Sequence, residues 1–118
     1  MIFFKNKEIK ERKKELSVQP NDPAAHFNLG AAFNKAGKFN DAIKEIEETI
    51  KVHPSSAEAH FNLGVLYESV NQGEKAIVHI VKAGNLFGDK NDAVNKMESR
   101  RLLKEFYRKF GFKPEDIE

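Results

Sequence analysis

Four histidines are the side chains of this sequence best suited to metal binding, and two of them lie in a repeated stretch. His26 and His60 occupy the same place in two identical hexapeptides, Ala-His-Phe-Asn-Leu-Gly, which are offset by 34 residues. A metal would need further ligands, but the chain has no cysteine and neither histidine has a carboxylate at ligand spacing. We therefore predict half-buried, hydrogen-bonded side chains for His26 and His60 and solvated ones for His53 and His79. No metal and no other cofactor is expected.

The remaining ionisable residues do not form a catalytic constellation. The acidic pairs Glu47–Glu48 and Glu115–Asp116 are adjacent in sequence, so the two members of each pair do not face each other on a helix. The glycines are spaced for helix packing and capping, and no glycine-rich loop suited to phosphate is present. The sequence therefore predicts a protein that is not an enzyme.

The 34-residue offset extends beyond the hexapeptide. It also aligns Pro20 with Pro54 and Ile46 with Ile80. A fixed period of this length is typical of stacked helical hairpins, each of which is too small to bury its own apolar face. We predict an all-α solenoid of about six helices, with two full repeats and a capping helix at each end.

The apolar spacing and the capping residues set the expected boundaries. A single domain is predicted, with an N-terminal cap in 1–19, repeats in 20–54 and 55–88, a C-terminal cap in 89–112 and a frayed tail in 113–118. Helices are expected over 5–17, 40–52, 57–70, 74–87 and 91–110, with the first helix of repeat 1 starting after Asp22 as N-cap and ending near Gly37.

Several local features carry more specific predictions. Ser55 to Glu58 has the pattern of a capping box, in which Glu58 returns to the start of its helix. In the first helix we expect a Glu8–Arg12 ion pair, with Leu16 and Val18 in core positions. Gly88 stands where repeat 1 has Pro54, so the chain is expected to change direction there.

Composition limits the class and location of the protein. Hydrophobic residues make up 40% of the chain and charged residues 32%, as in ordinary soluble domains. No apolar run reaches the roughly 20 residues that a membrane-spanning helix needs. The first residues, with three apolar side chains before Lys5, do not resemble a secretory signal. We predict a cytoplasmic protein.

With this pattern in place, residues 20–88 resemble the tetratricopeptide repeat family. The matching signature is His26-x-x-Leu29-Gly30-x-x-Phe33 followed by Ala42, Ile46 and Pro54, and then His60-x-x-Leu63-Gly64-x-x-Tyr67 followed by Ala76, Ile80 and Ala83. The resemblance implies a right-handed superhelix that acts as a protein–protein interaction module or adaptor. In such a module the first helix of each repeat lines a concave groove for a peptide or helix of another protein.

Carried over position by position, the resemblance implies a groove lined by Ala24, Phe27, Asn28, Ala31, Asn34, Lys35, Glu58, Phe61, Asn62, Val65, Glu68 and Ser69. The two phenylalanines would make apolar contacts, and the two asparagines would pair with the partner's backbone, since an amide side chain both donates and accepts. Some family members bind a C-terminal carboxylate with a clamp of basic residues and asparagines. The basic positions of that clamp hold Phe27, Ala24, Phe61 and Glu58 here, so we do not expect binding of a carboxylate tail.

Two alternatives remain open. The last helix carries a basic face that would suit nucleic acid or an anionic membrane surface, but the favoured explanation is a capping helix with solvated cations, so nucleic acid is not the expected partner. This face consists of Lys96, Arg100, Arg101, Lys104, Arg108 and Lys109. The second alternative is a self-associating scaffold, because the apolar residues at both ends, among them Ile2 to Phe4 and Leu102 to Phe112, exceed what two short caps need to bury. In a variant of it, the last helix folds back into the groove of its own chain.

Overall fold

The computed structural model describes residues 2–19 and 22–116, and the side chains of 6–19, 22, 24–115 among them. This part of the chain forms six α-helices and a short 3-10 turn. They are α1 Ile2–Val18, α2 Pro23–Lys35, α3 Phe39–Val52, α4 Ala57–Ser69, α5 Gly73–Asp89, α6 Ala93–Phe110 and the turn Pro114–Asp116. Each helix packs against the next, and α2 also packs against α4. The predicted all-α class and the number of helices are confirmed.

The starts of α2, α4 and α6 are set by side-chain caps. Asp22 accepts a hydrogen bond from the Ala24 amide at 3.0 Å, Ser56 from Ala59 at 3.2 Å and Asp92 from Asn95 at 3.1 Å. The predicted capping box is wrong by one residue. Because Ser56 rather than Ser55 is the N-cap, the third helical position is occupied by Ala59, which has no side chain that could return to the cap.

The turns within the two repeats share one geometry but use different residues. Gly37 has a φ of 71° and Asn71, 34 positions later, has a φ of 62°. Both adopt the left-handed conformation that closes a helix, and Gly111 does the same after α6. The prediction for Gly88 is wrong, because α5 continues through it to Asp89 and the chain turns at Asn91, where φ is 58°.

The core runs along the middle of the stack and depends on close approach at two glycines. Leu29, Ile46, Leu63 and Ile80 are almost fully buried. A Cβ on Gly30 would overlap the Asn62 amide nitrogen, and a Cβ on Gly64 would overlap Ile80. The two glycines therefore let the first helix of each repeat lie close to its neighbours, where a larger residue would require the facing side chains to shift.

Helix α1 covers the first repeat in a register that differs from the prediction. Ile9 is the buried anchor and Leu16 is partly buried, whereas Val18 is 73% exposed. The expected Glu8–Arg12 pair is replaced by Glu8 with Lys35 at 3.3 Å and Arg12 with Glu15 at 3.0 Å. Lys35 lies on α2, so one of these ion pairs ties the cap to the repeat.

Helix α6 caps the other end. Phe106 is buried, and the ring of Phe110 lies directly against Gly73 at the start of α5. The helix pairs with α5 as the next member of the stack and does not fold back across the groove. The predictions that concern Pro20, the side chains of Ile2 to Phe4, and the end of the tail at 117–118 lie outside the described residues.

Candidate interaction surface

The first helices of the two repeats share one face, and a cavity of about 550 Å³ opens near their N-terminal ends. We call it the phenylalanine pocket. It is lined by Asp22, Ala24, Phe27, Asn28, Glu58, Phe61, Phe87 and Asn95. These residues come from α2, α4, α5 and α6 and from the residue just before α2, so the pocket exists only when both repeats and the C-terminal cap are assembled.

Three phenylalanines supply the apolar part of the pocket. Phe87 is 3% exposed and packs edge-to-face under Phe61, with ring centroids 6.4 Å apart. Phe27 is 40% exposed and faces the opening. The sequence interpretation missed Phe87 because it assigned the groove to the first helix of each repeat, although an aromatic residue 34 positions after His53 was a visible departure from the repeat.

The two asparagines have different positions. Asn28 is exposed and lines the pocket, whereas Asn62 is 7% exposed and lies against Gly30 between α2 and α4. The Asn62 amide nitrogen is buried and has no hydrogen-bond partner. The expectation that both asparagines offer their amides to a partner is therefore wrong for Asn62, because the neighbouring repeat covers it.

The other predicted groove residues lie further along α2 and α4. Lys35 is held by Glu8 of α1, Glu68 is held by Lys109 of α6, and the Ser69 hydroxyl donates to its own helix at 3.1 Å. Ala31, Asn34 and Val65 are half-buried. This end of the face is tied to the two caps, and the open part of the groove is at the N-terminal ends of α2 and α4.

A second hollow of about 510 Å³ lies between α1 and α2 and shares Asp22 and Asn28 with the phenylalanine pocket. We call it the N-terminal hollow. It is lined by Glu11, Arg12, Lys14, Glu15, Val18, Gln19, Asp22, Ala25 and Asn28. The two cavities adjoin at these shared residues, and we refer to them together as the trough.

The repeated histidines are buried and hydrogen-bonded. His26 Nδ1 lies 2.6 Å from the Thr49 hydroxyl, whose oxygen is also 3.1 Å from the Glu45 carbonyl oxygen. His60 Nε2 donates to the Pro54 carbonyl at 2.9 Å. Both predictions of a partnered histidine agree with these contacts.

The predictions for His79 and His53 are wrong, because neither side chain is freely solvated. His79 stacks between the rings of His60 and Tyr67, and its Nδ1 lies 3.1 Å from His60 Nδ1. Since His60 carries its proton on Nε2, His79 is the donor in this contact. The Nε2 atom of His53 is buried without a hydrogen-bond partner.

Burial controls the protonation of this cluster. Loss of hydration lowers the pKa of His60, and the same cause together with the neighbouring His60 lowers the pKa of His79 to about 4. Burial and a 2.6 Å hydrogen bond to Glu47 raise the pKa of Tyr67 to about 12. At neutral pH the two histidines are therefore uncharged, and Tyr67 donates to Glu47 across the interface of the repeats.

The structure neutralises part of the predicted basic face. Arg101 is paired with Glu98 and Glu105, Lys109 is paired with Glu68, and the stem of Lys96 packs over Gly88. Arg100, Lys104 and Arg108 remain exposed at spacings of four residues along α6. This leaves a narrower cationic stripe than the sequence indicated.

In residues 2–19 and 22–116, no group of three or more histidine, cysteine or acidic side chains is arranged to hold a metal. In the same part of the chain, no helix combines the length and apolar character that a membrane span requires.

These observations define a class of protein: a short solenoid of helical hairpins with an open concave face. The particular repeat follows from comparison with known proteins. A family model described as "TPR repeat" matches residues 31–71, which span the end of α2, all of α3 and α4 and the following turn. The resemblance to the tetratricopeptide repeat family is thereby confirmed.

Solved structures of MamA, a protein with the same repeat, share the fold. One, described as MamA 41-end from Desulfovibrio magneticus RS-1, has a TM-score of 0.56 and 24% identity, and the match covers 89% of this chain and 67% of that one. A MamA RS-1 ArsTM double mutant gives the same values. A further MamA crystal structure has a TM-score of 0.55 and 22% identity over 87% of this chain and 68% of that one. No curated protein sequence matches the chain.

The family match sets the general class of function. Tetratricopeptide modules generally mediate protein–protein interaction, and proteins built from them are typically scaffolds without enzymatic activity.

Proposed function

We propose that this chain is an adaptor that holds a segment of another protein in the trough formed by the phenylalanine pocket and the N-terminal hollow. The observation that supports this most directly is Phe27, an aromatic side chain left 40% exposed at the mouth of an apolar cavity. Aromatic side chains in such pockets dominate the energetics of many protein interfaces. The chain is proposed to have no catalytic role.

The neighbouring polar groups suit an extended protein segment. Asn28 is exposed between the two cavities, and its amide can donate to and accept from a peptide backbone at the same time. The far ends of α2 and α4 are already engaged by Glu8 and Lys109, so a partner is expected to cross the N-terminal ends of these helices.

Site-specific photocrosslinking in cells of the source organism tests this proposal. A photoreactive phenylalanine analogue at Phe27 is expected to capture a protein partner. The same analogue at Val52, which is 64% exposed on α3 and lines neither cavity, is the matched control. Capture at Val52 with equal yield, or capture of no protein from Phe27, would contradict a partner in the trough.

With the photoreactive residue moved to Ala24, which is exposed and lines the same pocket, Phe27→Ala and Asn28→Ala are expected to reduce partner capture at least about tenfold. The thermal unfolding temperature should stay within a few degrees of wild type. Both side chains are exposed, so their removal leaves no buried cavity. An equal loss of capture for Val52→Ala would show that the effect is not specific to the trough.

We propose as a second candidate function that the exposed stripe of Arg100, Lys104 and Arg108 binds a nucleic acid or another anionic surface. A duplex held through several phosphates loses affinity by orders of magnitude between about 50 and 200 mM salt. Binding of labelled RNA or DNA that shows this dependence, and that is lost when the three residues are changed to glutamine, would favour this function. Changing Arg101 to glutamine is the control, because its charge is already paired.

A further inference from the structure

We propose that the partner segment carries an apolar or aromatic side chain directly beside a lysine or arginine, with the apolar side chain in the phenylalanine pocket. This inference rests on the proposed function, because it names the chemistry of the segment that the trough binds. Two observations support it: the pocket is aromatic, and the charged residues around it are acidic.

The apolar half of the inference comes from the lining of the pocket. Phe61 and Phe87 form a preassembled wall at a ring separation of 6.4 Å, and Phe27 stands free at the entrance. The volume of about 550 Å³ lies within the range of pockets that enclose ligands in proteins. A bulky apolar side chain inserted there would remove Phe27 from water without rearranging the helices.

The charged half comes from the rim. Of the eight residues that line the pocket, Asp22 and Glu58 are the ionisable ones, and both are acidic. They lie at or near the N-terminal ends of α2 and α4, so they flank the opening from two sides. Glu58 is exposed and has an unpaired carboxylate in the described structure, so a cation of the partner can reach it.

The N-terminal hollow adds no net charge beyond Asp22, which it shares with the phenylalanine pocket. Its Arg12 is engaged by Glu15 at 3.0 Å and by Glu11 at 3.8 Å. With Asp22 included, the hollow holds three carboxylates against two basic side chains. Because Asp22 lines both cavities, the trough as a whole holds four carboxylates against two basic side chains, and the excess of acid lies at Asp22 and Glu58. A cationic segment would be attracted to that part of the trough and an anionic one repelled from it.

Three synthetic nine-residue peptides test the inference against the full chain. Each has a central Leu-Phe pair, flanked on both sides by two lysines, two glutamines or two glutamates, in an otherwise identical Ser-Gly background. Fluorescence anisotropy at 50 mM salt is expected to rank the affinities lysine, glutamine, glutamate. We expect the lysine peptide to bind about three to ten times more tightly than the glutamine peptide, since pairs of exposed charges contribute modestly. This advantage should shrink at 200 mM salt.

Variants of the rim provide the matched test. Glu58→Gln is expected to remove most of the advantage of the lysine peptide over the glutamine peptide. Asp22→Asn removes a charge but keeps the N-cap, because asparagine caps helices as well as aspartate does. Glu74→Gln, an exposed carboxylate that lines neither cavity, should leave the ranking unchanged.

Each other outcome overturns the inference. Equal binding of the three peptides, lost in Phe27→Ala, would reject the charge preference and keep the trough as a binding site. Tighter binding of the glutamate peptide, or binding of none of the three, would also reject it, and the photocrosslinking experiment would then decide the proposed function separately. A concentration-dependent dimer that Phe27→Ala abolishes would show that the pocket is filled by a second copy of the chain.

Discussion

The hexapeptides at 25–30 and 59–64 have the same sequence but different surroundings. Asn28 is exposed in the trough, and its copy Asn62 is buried against Gly30. Phe27 is free at the pocket entrance, and its copy Phe61 packs on Phe87 of the following helix. The first copy meets α1, whereas the second meets a complete repeat. The asparagines thus differ through the neighbouring element of the stack, and the phenylalanines through the replacement of His53 by Phe87 within the repeat.

The histidines differ in the same way. His26 Nδ1 pairs with the Thr49 hydroxyl, whereas His60 Nδ1 pairs with His79, whose ring stacks on Tyr67. Tyr67 in turn donates to Glu47. The difference arises because Thr49 is replaced by Ala83 and Glu45 by His79 in the second repeat. Two substitutions on the second helices therefore change the partner of the repeated histidine's Nδ1 atom from a hydroxyl to a second imidazole.

The largest expected effect concerns positions at which the two copies are equivalent. Leu63 and Leu29 are both almost fully buried, so changing either to alanine should lower the free energy of unfolding by about 2–5 kcal/mol. Chemical denaturation of each variant measures this. Val52→Ala on the exposed side of α3 should cost less than about 0.5 kcal/mol. If Leu29→Ala were as mild as Val52→Ala, the first repeat would not share the core.

The sequence predicts these core positions because burial there repeats with the helix period. The cap at Asp22 and the helix ends at Gly37 and Gly111 could also be predicted from the sequence, since they depend on residues within one turn. The register of α1 could not be predicted in this way, because α1 packs against the stack on one side only and its apolar spacing constrains the register weakly. Ile9 rather than Val18 is therefore the buried residue.

The groove was predictable only in part for a related reason. Which helices form it follows from the repeat, but exposure of each side chain depends on contacts between residues far apart in sequence. Asn62 is covered through the close approach at Gly30, and Phe61 packs on Phe87, which stands where the first repeat has His53. The first contact leaves no periodic signal in the sequence, and the second leaves only a departure from the repeat.

A second prediction tests the asymmetry of the asparagines. In Gly30→Ala, the new methyl group would overlap the Asn62 amide and lie 2.9 Å from Ile46 Cδ1, so a net loss of about 1–2 kcal/mol is expected despite the better helix propensity of alanine. In an Asn62→Ala background the Asn62 amide no longer blocks the new methyl group, so the loss of stability caused by Gly30→Ala should fall by about 1 kcal/mol. Urea denaturation of the four proteins of this double-mutant cycle measures the coupling.

The matched cycle uses Gly64→Ala with the same Asn62→Ala change. Here the new methyl group meets Ile80 and lies 3.2 Å from the Ala76 carbonyl oxygen, so Asn62 is not an obstacle. This pair should be additive within about 0.5 kcal/mol. Coupling of equal size in both cycles would mean that Asn62 does not fill the space at Gly30.

A third prediction concerns pH and the polar network of the second repeat. The pKa of His79 is lowered from 6.5 to about 4, so the unfolded chain binds a proton more readily than the folded one between these values. Stability contributed by the neutral histidine is therefore complete above pH 6.5 and is lost as the pH falls towards 4. The expected loss is on the order of 2 kcal/mol, with His60 adding in the same direction.

Thermal unfolding of wild type and His79→Gln at pH 7.5 and pH 5 measures this contribution. The variant should lose fewer degrees on acidification than the wild type, whatever its stability at pH 7.5, because the titrating group is gone. Glu45→Gln, at the equivalent position of the first repeat, should leave the pH dependence close to wild type. Identical acid sensitivity in wild type and His79→Gln would exclude the network as its source.

The smallest expected effect on stability concerns the turns within the two repeats. These turns share a backbone conformation but use different residues. Gly37 and Asn71 both have positive φ, which glycine adopts without strain and asparagine at a modest cost. Gly37→Asn should therefore lower the free energy of unfolding by about 0.5 kcal/mol and Asn71→Gly should raise it by a similar amount, since the helix ends are otherwise alike. Gly37→Ala should cost about 1 kcal/mol, because alanine lacks the local hydrogen bonding that asparagine can offer. Denaturation midpoints compared at constant slope resolve these differences. Stabilisation by Gly37→Asn would show that the turns at Gly37 and Asn71 are not equivalent. The two repeats would then differ even in the backbone of their turns.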